Sequence, residues 1–315
     1  MKRIIPILVL AGIVPAVAAP LIGEKLIVSP AGDSSNTVSD SAVAIGRYHN
    51  VSGTYSMGVG TGMTVAGAQS FGMGYCNTVS ANYAAAFGTQ NTVSGAQSLA
   101  VGNGNNVSAI NASAFGYQNI ISGAQSSAIG YSNQVTGSNS AAIGSWNTFA
   151  ESNSMIVGGG STINVSGGSS NLYVGQSLFG GNNSASIIMG SYTTSTGGYN
   201  SAIIGQGLTA TNVSTGLVVG SSNVATGKQF VIGTGLIATD TAQAAVVVGQ
   251  YNCVPSPTPP PGSPKQLFVI GNGTGAGYPQ NRKNAMEVYT DGSVRLGKRG
   301  GDIAMGEFGN PGSGD

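Results

Sequence analysis

Small and large side chains alternate in short segments along this chain, and each segment ends at a glycine. The glycines recur every fourteen residues, at positions 46, 60, 74, 88, 102, 116, 130, 144 and 158. The fourth and second residues before the glycine are small, as in Ser98 and Ala100, whereas the third and first are often large, as in Leu99 and Val101. Alternation with a period of two predicts β-strands whose small and large side chains lie on opposite faces.

Two further positions of the repeat keep their residue type. The fifth residue after each glycine is apolar from Val51 to Ile163 and is usually β-branched. Fourteen residues are too few for a pair of helices but suffice for one coil of a parallel β-roll or β-solenoid, with two strands of about five residues and tight turns. Stacked coils place equal residues above one another, which predicts an asparagine ladder three residues after the glycine. The ladder contains Asn77, Asn91, Asn105, Asn119, Asn133 and Asn147.

The lumen of a two-strand coil is narrow, which favours small side chains inside it. We therefore assign serine, alanine and glycine to the lumen and the large residues to the outer surface, where they form an apolar stripe. The apolar stripe contains Val43, Ile45, Met57, Val59, Phe71, Met73, Phe87, Leu99, Val101, Phe115, Ile129, Ile143, Met155 and Val157. It exceeds the roughly 300–600 Å² patch of an ordinary monomer and predicts an oligomer interface. The opposite orientation would give a monomeric solenoid.

Composition and charge narrow the classes of function. Of the 315 residues, 52 are glycine and only 7% are charged. Between Arg47 and Lys228 the only charged residue is Glu151, which we interpret as a solvated turn residue. A net charge of +1 argues against a nucleic-acid partner, whose phosphates require clustered lysine and arginine. Neither paired carboxylates nor cysteine and histidine spacings indicate a metal site, so we predict no metal and no cofactor.

The single histidine, His49, occupies the asparagine position of its repeat. No carboxylate accompanies it in the sequence, so a ladder or turn position is favoured over a catalytic base. Because the chain shows no catalytic constellation, we predict a protein that is not an enzyme.

The chain order predicts a leader, a long roll and a terminal hairpin. Residues 1–18 combine a basic start, an apolar stretch and small residues at a cleavage site, which is typical of a secretory signal peptide. We therefore expect a secreted or cell-surface protein whose mature chain has no integral membrane segment. The remaining predicted segments are an N-terminal cap (19–40), a regular roll (41–165), an irregular roll (166–275) with a proline-rich excursion (254–264), a hairpin cap (276–297) and a glycine-rich tail (298–315).

The turn of the predicted hairpin lies at Asp291 and Gly292. A two-residue loop would mix apolar and charged residues on both faces. A three-residue loop pairs Glu287 with Arg295 and separates the two classes, so we favour it. A hairpin here would cap the unpaired strand at the end of the roll.

The segments SAVAIG at 41–46, SSAIG at 126–130 and SAAIG at 140–144 resemble the head repeats of trimeric autotransporter adhesins, of the YadA-like or haemagglutinin type. The resemblance covers roughly residues 40–275. It implies a left-handed parallel β-roll, a homotrimer and an adhesive or fibre-forming role on extracellular matrix, host or surface polymers. The sequence departs from the family because it has no heptad-bearing stalk and no membrane-anchoring barrel segment. We therefore expect a secreted or otherwise tethered relative with the head alone.

Three functions follow, of which a structural or adhesive surface protein is the leading hypothesis. The first alternative is ice binding through a threonine column at Thr64, Thr78 and Thr92, which is broken at Asn106. The second is a solenoid carbohydrate-active protein, against which the missing acid pair counts.

Overall fold

The computed structural model describes residues 26–29, 35–165, 167–238, 245–252, 264–274 and 283–297. The predicted signal peptide, the glycine-rich tail and nearly all of the proline-rich excursion lie outside the described residues. The described residues form β-strands and no helix. Parallel strands stack in about 15 coils and form a β-solenoid, which confirms the predicted fold class.

The first sheet, here the long-strand sheet, has 19 strands. It contains the segment of each coil in which small and large side chains alternate. Its strands are β1 (Leu26–Val28), β3 (Val43–Arg47), β5 (Met57–Thr61), β7 (Phe71–Tyr75), β9 (Ala85–Thr89), β11 (Leu99–Asn103), β13 (Ser113–Tyr117), β15 (Ser127–Tyr131), β17 (Ala141–Ser145), β19 (Met155–Gly159), β21 (Leu172–Gln176), β23 (Ile187–Ser191), β25 (Ala202–Gln206), β27 (Leu217–Ser221), β29 (Gln229–Thr234), β31 (Ala245–Gln250), β32 (Gln266–Asn272), β33 (Asn284–Tyr289) and β34 (Val294–Leu296). In the regular roll, equivalent residues of successive coils pair with one another, as Val101, Phe115 and Ile129 do.

The second sheet, here the short-strand sheet, has 15 strands. Its strands are β2 (Thr37–Val38), β4 (Asn50–Val51), β6 (Thr64–Val65), β8 (Thr78–Val79), β10 (Thr92–Val93), β12 (Asn106–Val107), β14 (Ile120–Ile121), β16 (Gln134–Val135), β18 (Thr148–Phe149), β20 (Thr162–Val165), β22 (Phe179–Gly181), β24 (Thr194–Thr196), β26 (Thr209–Thr211), β28 (Val224–Thr226) and β30 (Ile237–Ala238). Strands β1 and β2 pair with β3 and β4, so both sheets begin before residue 41.

The prediction of two strands of about five residues in each coil is wrong for the short-strand sheet. Most of its strands have two or three residues. The reason lies in the two corners that flank each short strand, where residues such as Gln118 and Gln125 have positive φ angles of 53° and 56°. A left-handed residue turns the chain sharply, and two such turns per coil leave little extended chain between them.

The repeating glycine is required by a close approach between coils. Gly116 has a φ of 120°, a region that side chains of L-residues rarely enter. A Cβ atom at this position would lie 2.1 Å from the carbonyl oxygen of Gly130 in the next coil. Any other residue would therefore separate the two strands.

The small side chains of the long-strand sheet face the lumen. Ala100, Ala114 and Ala128 are fully buried, and they are packed in the same core as Val107 and Ile121 of the short-strand sheet. The large residues on either side of each alanine stay partly or fully exposed. This is the orientation that the alternation and the narrow lumen predict.

Near residue 160 the large residues of the lumen change from the short-strand wall to the long-strand wall. From Ala44 to Ala142 the long-strand wall carries alanine or glycine, and from Val51 to Val135 the short-strand wall carries valine or isoleucine. Beyond residue 160 the long-strand wall carries Tyr173, Ile188 and Ile203, and the short-strand wall carries Ser195 and Ala210. One large and one small residue in each coil keep the lumen filled on both sides of the exchange.

The asparagine ladder lies in the lumen beside the corner that follows each long strand. The Oδ1 atom of Asn105 accepts hydrogen bonds from the backbone N–H and the Nδ2 of Asn119, both at 3.0 Å. The Nδ2 of Asn119 also donates to the carbonyl oxygens of Phe115 and Gly130, at 3.2 and 3.0 Å. The same side-chain link joins all six predicted asparagines, and each is almost fully buried.

The C-terminal strands pair antiparallel, unlike the parallel strands of the roll. Strand β33 pairs antiparallel with β32 and with β34. Glu287 lies opposite Arg295, and Val288 lies opposite Val294, which is the register of the three-residue loop. Strand β33 thus occupies the outer edge of β32, and its role as a cap stays a prediction.

Replacing one ladder asparagine tests how much the ladder stabilises the roll. We expect Asn119→Ala to lower the free energy of unfolding by about 3 kcal/mol, because Asn133 loses both bonds to Asn119 and keeps buried donors. Urea unfolding followed by circular dichroism measures the change. The matched control is Gln134→Ala, an exposed residue whose removal should change stability by at most ~0.5 kcal/mol. Equal losses in both variants would contradict a stabilising ladder.

Candidate functional site

The apolar stripe lies on the outer face of the long-strand sheet. Its predicted members are partly exposed, and Met73, Phe115, Ile129 and Met155 are the most exposed of them. Because strand pairing is in register, the stripe is formed by two straight columns, three residues and one residue before each glycine. The structure therefore brings all of the predicted interface residues onto one face.

The stripe continues beyond the last residue that was predicted for it. Leu172 and Val174, and then Ile187 and Met189, occupy the same two columns in the following coils. The columns run on to Val246, which pairs with Phe268 of strand β32. The sequence signal for this extension was present in the endings NLYVG and SIIMG, although the glycine spacing there is no longer fourteen.

The outer face of the short-strand sheet is mostly polar. Thr64, Thr78 and Thr92 pair in register there, and Asn106 and Ile120 follow in the same column. The predicted threonine column therefore lies on the surface, and it ends after three coils. The two outer faces of the solenoid thus have opposite character.

Glu151 is fully buried, so its interpretation as a solvated turn residue is wrong. In the two preceding coils the equivalent position is Gly123 and Gly137. The following glycines, Gly158 and Gly175, are seventeen residues apart instead of fourteen. The longer coil carries two of the donors to Glu151, Asn171 and Tyr173, and the Glu151 side chain points into the lumen where the two halves of the roll meet.

Three buried groups donate hydrogen bonds to the Glu151 carboxylate. Its Oε2 accepts from the Nδ2 of Asn171 at 2.7 Å and from the hydroxyl of Tyr173 at 2.8 Å. Its Oε1 accepts from the backbone N–H of Asn183 at 3.3 Å. The Nδ2 of Asn183 also donates to the Tyr173 hydroxyl at 3.1 Å. A Cβ at Gly168 would lie 2.2 Å from Oε1, so the cluster needs glycine at that position.

Burial and hydrogen bonding act on the Glu151 pKa in opposite directions. Burial raises the pKa of Glu151 above its ordinary value, and the bonds from Asn171, Tyr173 and Asn183 offset only part of that increase. Burial, together with the nearby Glu151 charge, also raises the pKa of Tyr173. The cluster is a hydrogen-bonded polar group in the lumen, and its acid is fully buried.

His49 occupies the asparagine position two coils before Asn77, and Met63 occupies it in the coil between them. The Nδ1 of His49 accepts from the backbone N–H of Met63 at 3.2 Å, and its Nε2 lies 3.1 Å from the carbonyl oxygen of Ile45. These partners assign the proton of the neutral ring to Nε2. Burial lowers the pKa of His49, which agrees with a neutral ladder residue.

With Glu151 and His49 buried, the outer surface from Tyr48 to Gly227 carries no charged side chain. Ionised groups are confined to the parts of the chain before and after this stretch. Apart from the apolar stripe, this surface offers hydroxyls, amides and aromatic rings.

Exposed aromatic rings meet at the corner that follows three successive long strands. We call Tyr117, Tyr131 and Trp146 the aromatic corner. The rings of Tyr117 and Tyr131 are parallel within 3° with centroids 5.2 Å apart. The ring of Trp146 is inclined by 64° to Tyr131, with centroids 4.9 Å apart. The alternation before each glycine did not reveal this group, because its members lie one or two residues after the glycine.

The predicted hairpin residues lie together at the C-terminal end of the long-strand sheet. Asp291 accepts from the backbone N–H and the hydroxyl of Ser293, at 2.9 and 2.7 Å, and these bonds lower its pKa. Gly292 has a φ of 82°, which the loop requires. Glu287 accepts from the hydroxyl of Tyr289 at 2.9 Å, and Arg295 lies over the Tyr289 ring at 4.8 Å.

Comparison with other proteins identifies no family for this chain. No family model matches it, and a search of curated proteins finds no match. Within the described residues there is no group of three or more histidine, cysteine, aspartate and glutamate side chains that would hold a metal ion. None of the described residues forms a helix with the length and hydrophobicity needed to cross a membrane.

The buried acid predicts a specific dependence of stability on pH. Since the folded-state pKa of Glu151 is raised, its favourable contribution is present at low pH and is lost as pH rises through that pKa. We therefore expect wild type to gain stability relative to Glu151→Gln as pH falls from about 7 to about 4.

Urea unfolding of both proteins across this pH range measures the difference. The two chains share every other titratable group, so the difference isolates residue 151. A constant difference, or one that changes in the opposite direction, would contradict the raised pKa.

Proposed function

We propose that this chain is a secreted or cell-surface structural protein whose rigid β-roll forms oligomers and mediates attachment. The observation that carries the proposal is that one solenoid has two outer faces of unlike character. One face is a continuous apolar stripe, and the other is polar and uncharged. An apolar face of this length is stabilised by a partner, whereas the polar face remains available for contact.

A second copy of the chain is the proposed partner of the apolar stripe. In-register columns repeat the same spacing in every copy, so two or three copies can align along their full length. Cyclic symmetry would bury equivalent stripes around one axis. The likeness to adhesin head repeats favours three copies. Phe115 and Ile129 lie on adjacent coils near the middle of the regular roll, where a charge affects the contact most.

The double variant Phe115→Asp with Ile129→Asp tests the interface. We expect at least a hundredfold weaker association, because a hundredfold change needs only about 2.8 kcal/mol and two desolvated carboxylates cost more. Size-exclusion chromatography with light scattering measures the mass. The matched control is Ile120→Asp, an exposed isoleucine on the opposite sheet, which should leave the oligomer intact.

A monomeric wild type over the whole concentration range would overturn the oligomer. Both side chains are exposed on the single roll, so unfolding of the double variant, seen by circular dichroism, would show that the stripe is needed for folding and would contradict a contact that only joins folded rolls. The control variant separates a general effect of added charge from an effect at the stripe.

Attachment is tested by the force that holds protein-coated beads on a polymer film. We expect beads that carry the protein to resist detachment by flow from at least one of three films, made of collagen, fibronectin or cellulose. Many weak contacts along a rigid roll add through multivalency, so the resistance should rise steeply with coating density. Beads coated with albumin are the control. Detachment from all three films at the flow that removes albumin beads would contradict an adhesive function.

A further inference from the structure

The aromatic corner is held rigidly by its own backbone. The backbone N–H of Ser132 donates to the carbonyl oxygen of Tyr117 at 2.8 Å, and that of Trp146 donates to the carbonyl oxygen of Tyr131 at 2.9 Å. Each ring is thus attached to a corner that is hydrogen-bonded to the next coil. Rigid aromatic side chains give contact area at a low entropic cost when a ligand binds.

The rings remain open to solvent. Tyr117 and Tyr131 are 40% and 39% exposed, and Trp146 is 61% exposed. The coil that follows Trp146 has Gly159 and Gly160 at the corresponding positions, so no side chain of that coil covers the indole. The row of rings therefore ends in an accessible indole surface.

Polar side chains accompany the rings along the same coils. Gln118 and Ser132 lie at the corner itself, directly after the two tyrosines. Gln134 and Thr148 follow on strands β16 and β18, where they pair in register on the outer face of the short-strand sheet. Amides and hydroxyls both donate and accept hydrogen bonds. A ligand that lies along the solenoid axis would meet rings on one side and this polar row on the other.

The absence of charge selects the class of ligand. The surface from Tyr48 to Gly227 has no ionised side chain, so it offers nothing to neutralise the phosphates of a nucleic acid or the sulfates of an acidic glycan. Sugar rings combine an apolar C–H face with hydroxyl groups at the rim. Neutral sugars therefore match a row of rings beside a row of amides and hydroxyls.

We propose that the aromatic corner binds neutral polysaccharide. Sugar rings stack on Tyr131 and Trp146, and their hydroxyls form hydrogen bonds with Gln134 and Thr148. This inference rests on the proposed adhesive function and names the class of polymer that the roll holds. The rings lie after the repeating glycines, at the edge of the apolar stripe, and the proposal requires that an oligomer joined through the stripe leaves them accessible.

The only tryptophan of the chain, Trp146, reports on binding directly. Its fluorescence is titrated in the full-length protein with cellohexaose, chitohexaose and xylohexaose. We expect a saturable change with at least one of the three. Tyr131→Ala keeps the reporter and should weaken binding by roughly tenfold, the effect of losing one stacked ring.

The matched control is Tyr75→Ala. Tyr75 is also exposed and also ends a long strand, but the corresponding residues of the adjacent coils are Thr61 and Thr89, so it has no aromatic neighbour in its column. This variant should bind the hexaose as wild type does. Circular dichroism and light scattering of both variants verify that fold and oligomer are unchanged.

Three outcomes would overturn the inference: no response to any of the three hexaoses, equal binding by Tyr131→Ala and wild type, or equally tight binding of a thymidine 20-mer. The last outcome would assign the corner to single-stranded nucleic acid instead. The bead assay on cellulose separates this failure from that of the adhesive function. If wild-type and Tyr131→Ala beads hold equally well, the inference about the corner fails and adhesion stands. If hexaose binds but wild-type beads do not hold on any film, adhesion fails and the corner stands.

Discussion

The close approach of each glycine to the next coil is the constraint on which the rest of the solenoid depends. At Gly116 the neighbouring carbonyl oxygen occupies the space that a side chain would need. This approach sets the position of one coil on the next, and Asn119 then bonds to the coils before and after it. The glycine approach and the bond between Asn105 and Asn119 each join equal positions of neighbouring coils. An insertion of one residue would remove both, which explains the strict interval of fourteen where the ladder is complete.

The interval changes where the contents of the lumen change. Ile156 and Ile163 put large residues on both walls at the junction, and the ring of Tyr173 meets Phe149 edge to face at 5.9 Å. The longer coil that follows gives these side chains room and supplies two of the donors around Glu151. A buried acid is costly unless its oxygens are bonded, so Glu151 belongs only at this place. The junction thus joins two different packing arrangements of the lumen.

The fold was predictable because stacking repeats one local rule, whereas the Glu151 cluster was not. Alternation and spacing place Ala114 in the lumen and Phe115 on the outer face, and the separation of apolar from charged residues predicts the observed hairpin register. The prediction for Glu151 was wrong because charge was read as a sign of solvent exposure. Its partners Asn171 and Asn183 come 20 and 32 residues later, and no repeat position connects them. The contact of Tyr131 with Trp146 likewise depends on the shape of the corner, since the two residues hold different positions in the repeat.

The uncharged outer surface has a consequence for the environment in which the protein works. Dissolved ions screen contacts between charges, and they leave ring stacking and neutral hydrogen bonds largely unchanged at moderate concentrations. Contacts made by the stretch from Tyr48 to Gly227 therefore keep nearly the same strength in dilute and in saline water. Neighbouring copies of the chain also exert no electrostatic repulsion on each other through this stretch, so they can pack close together.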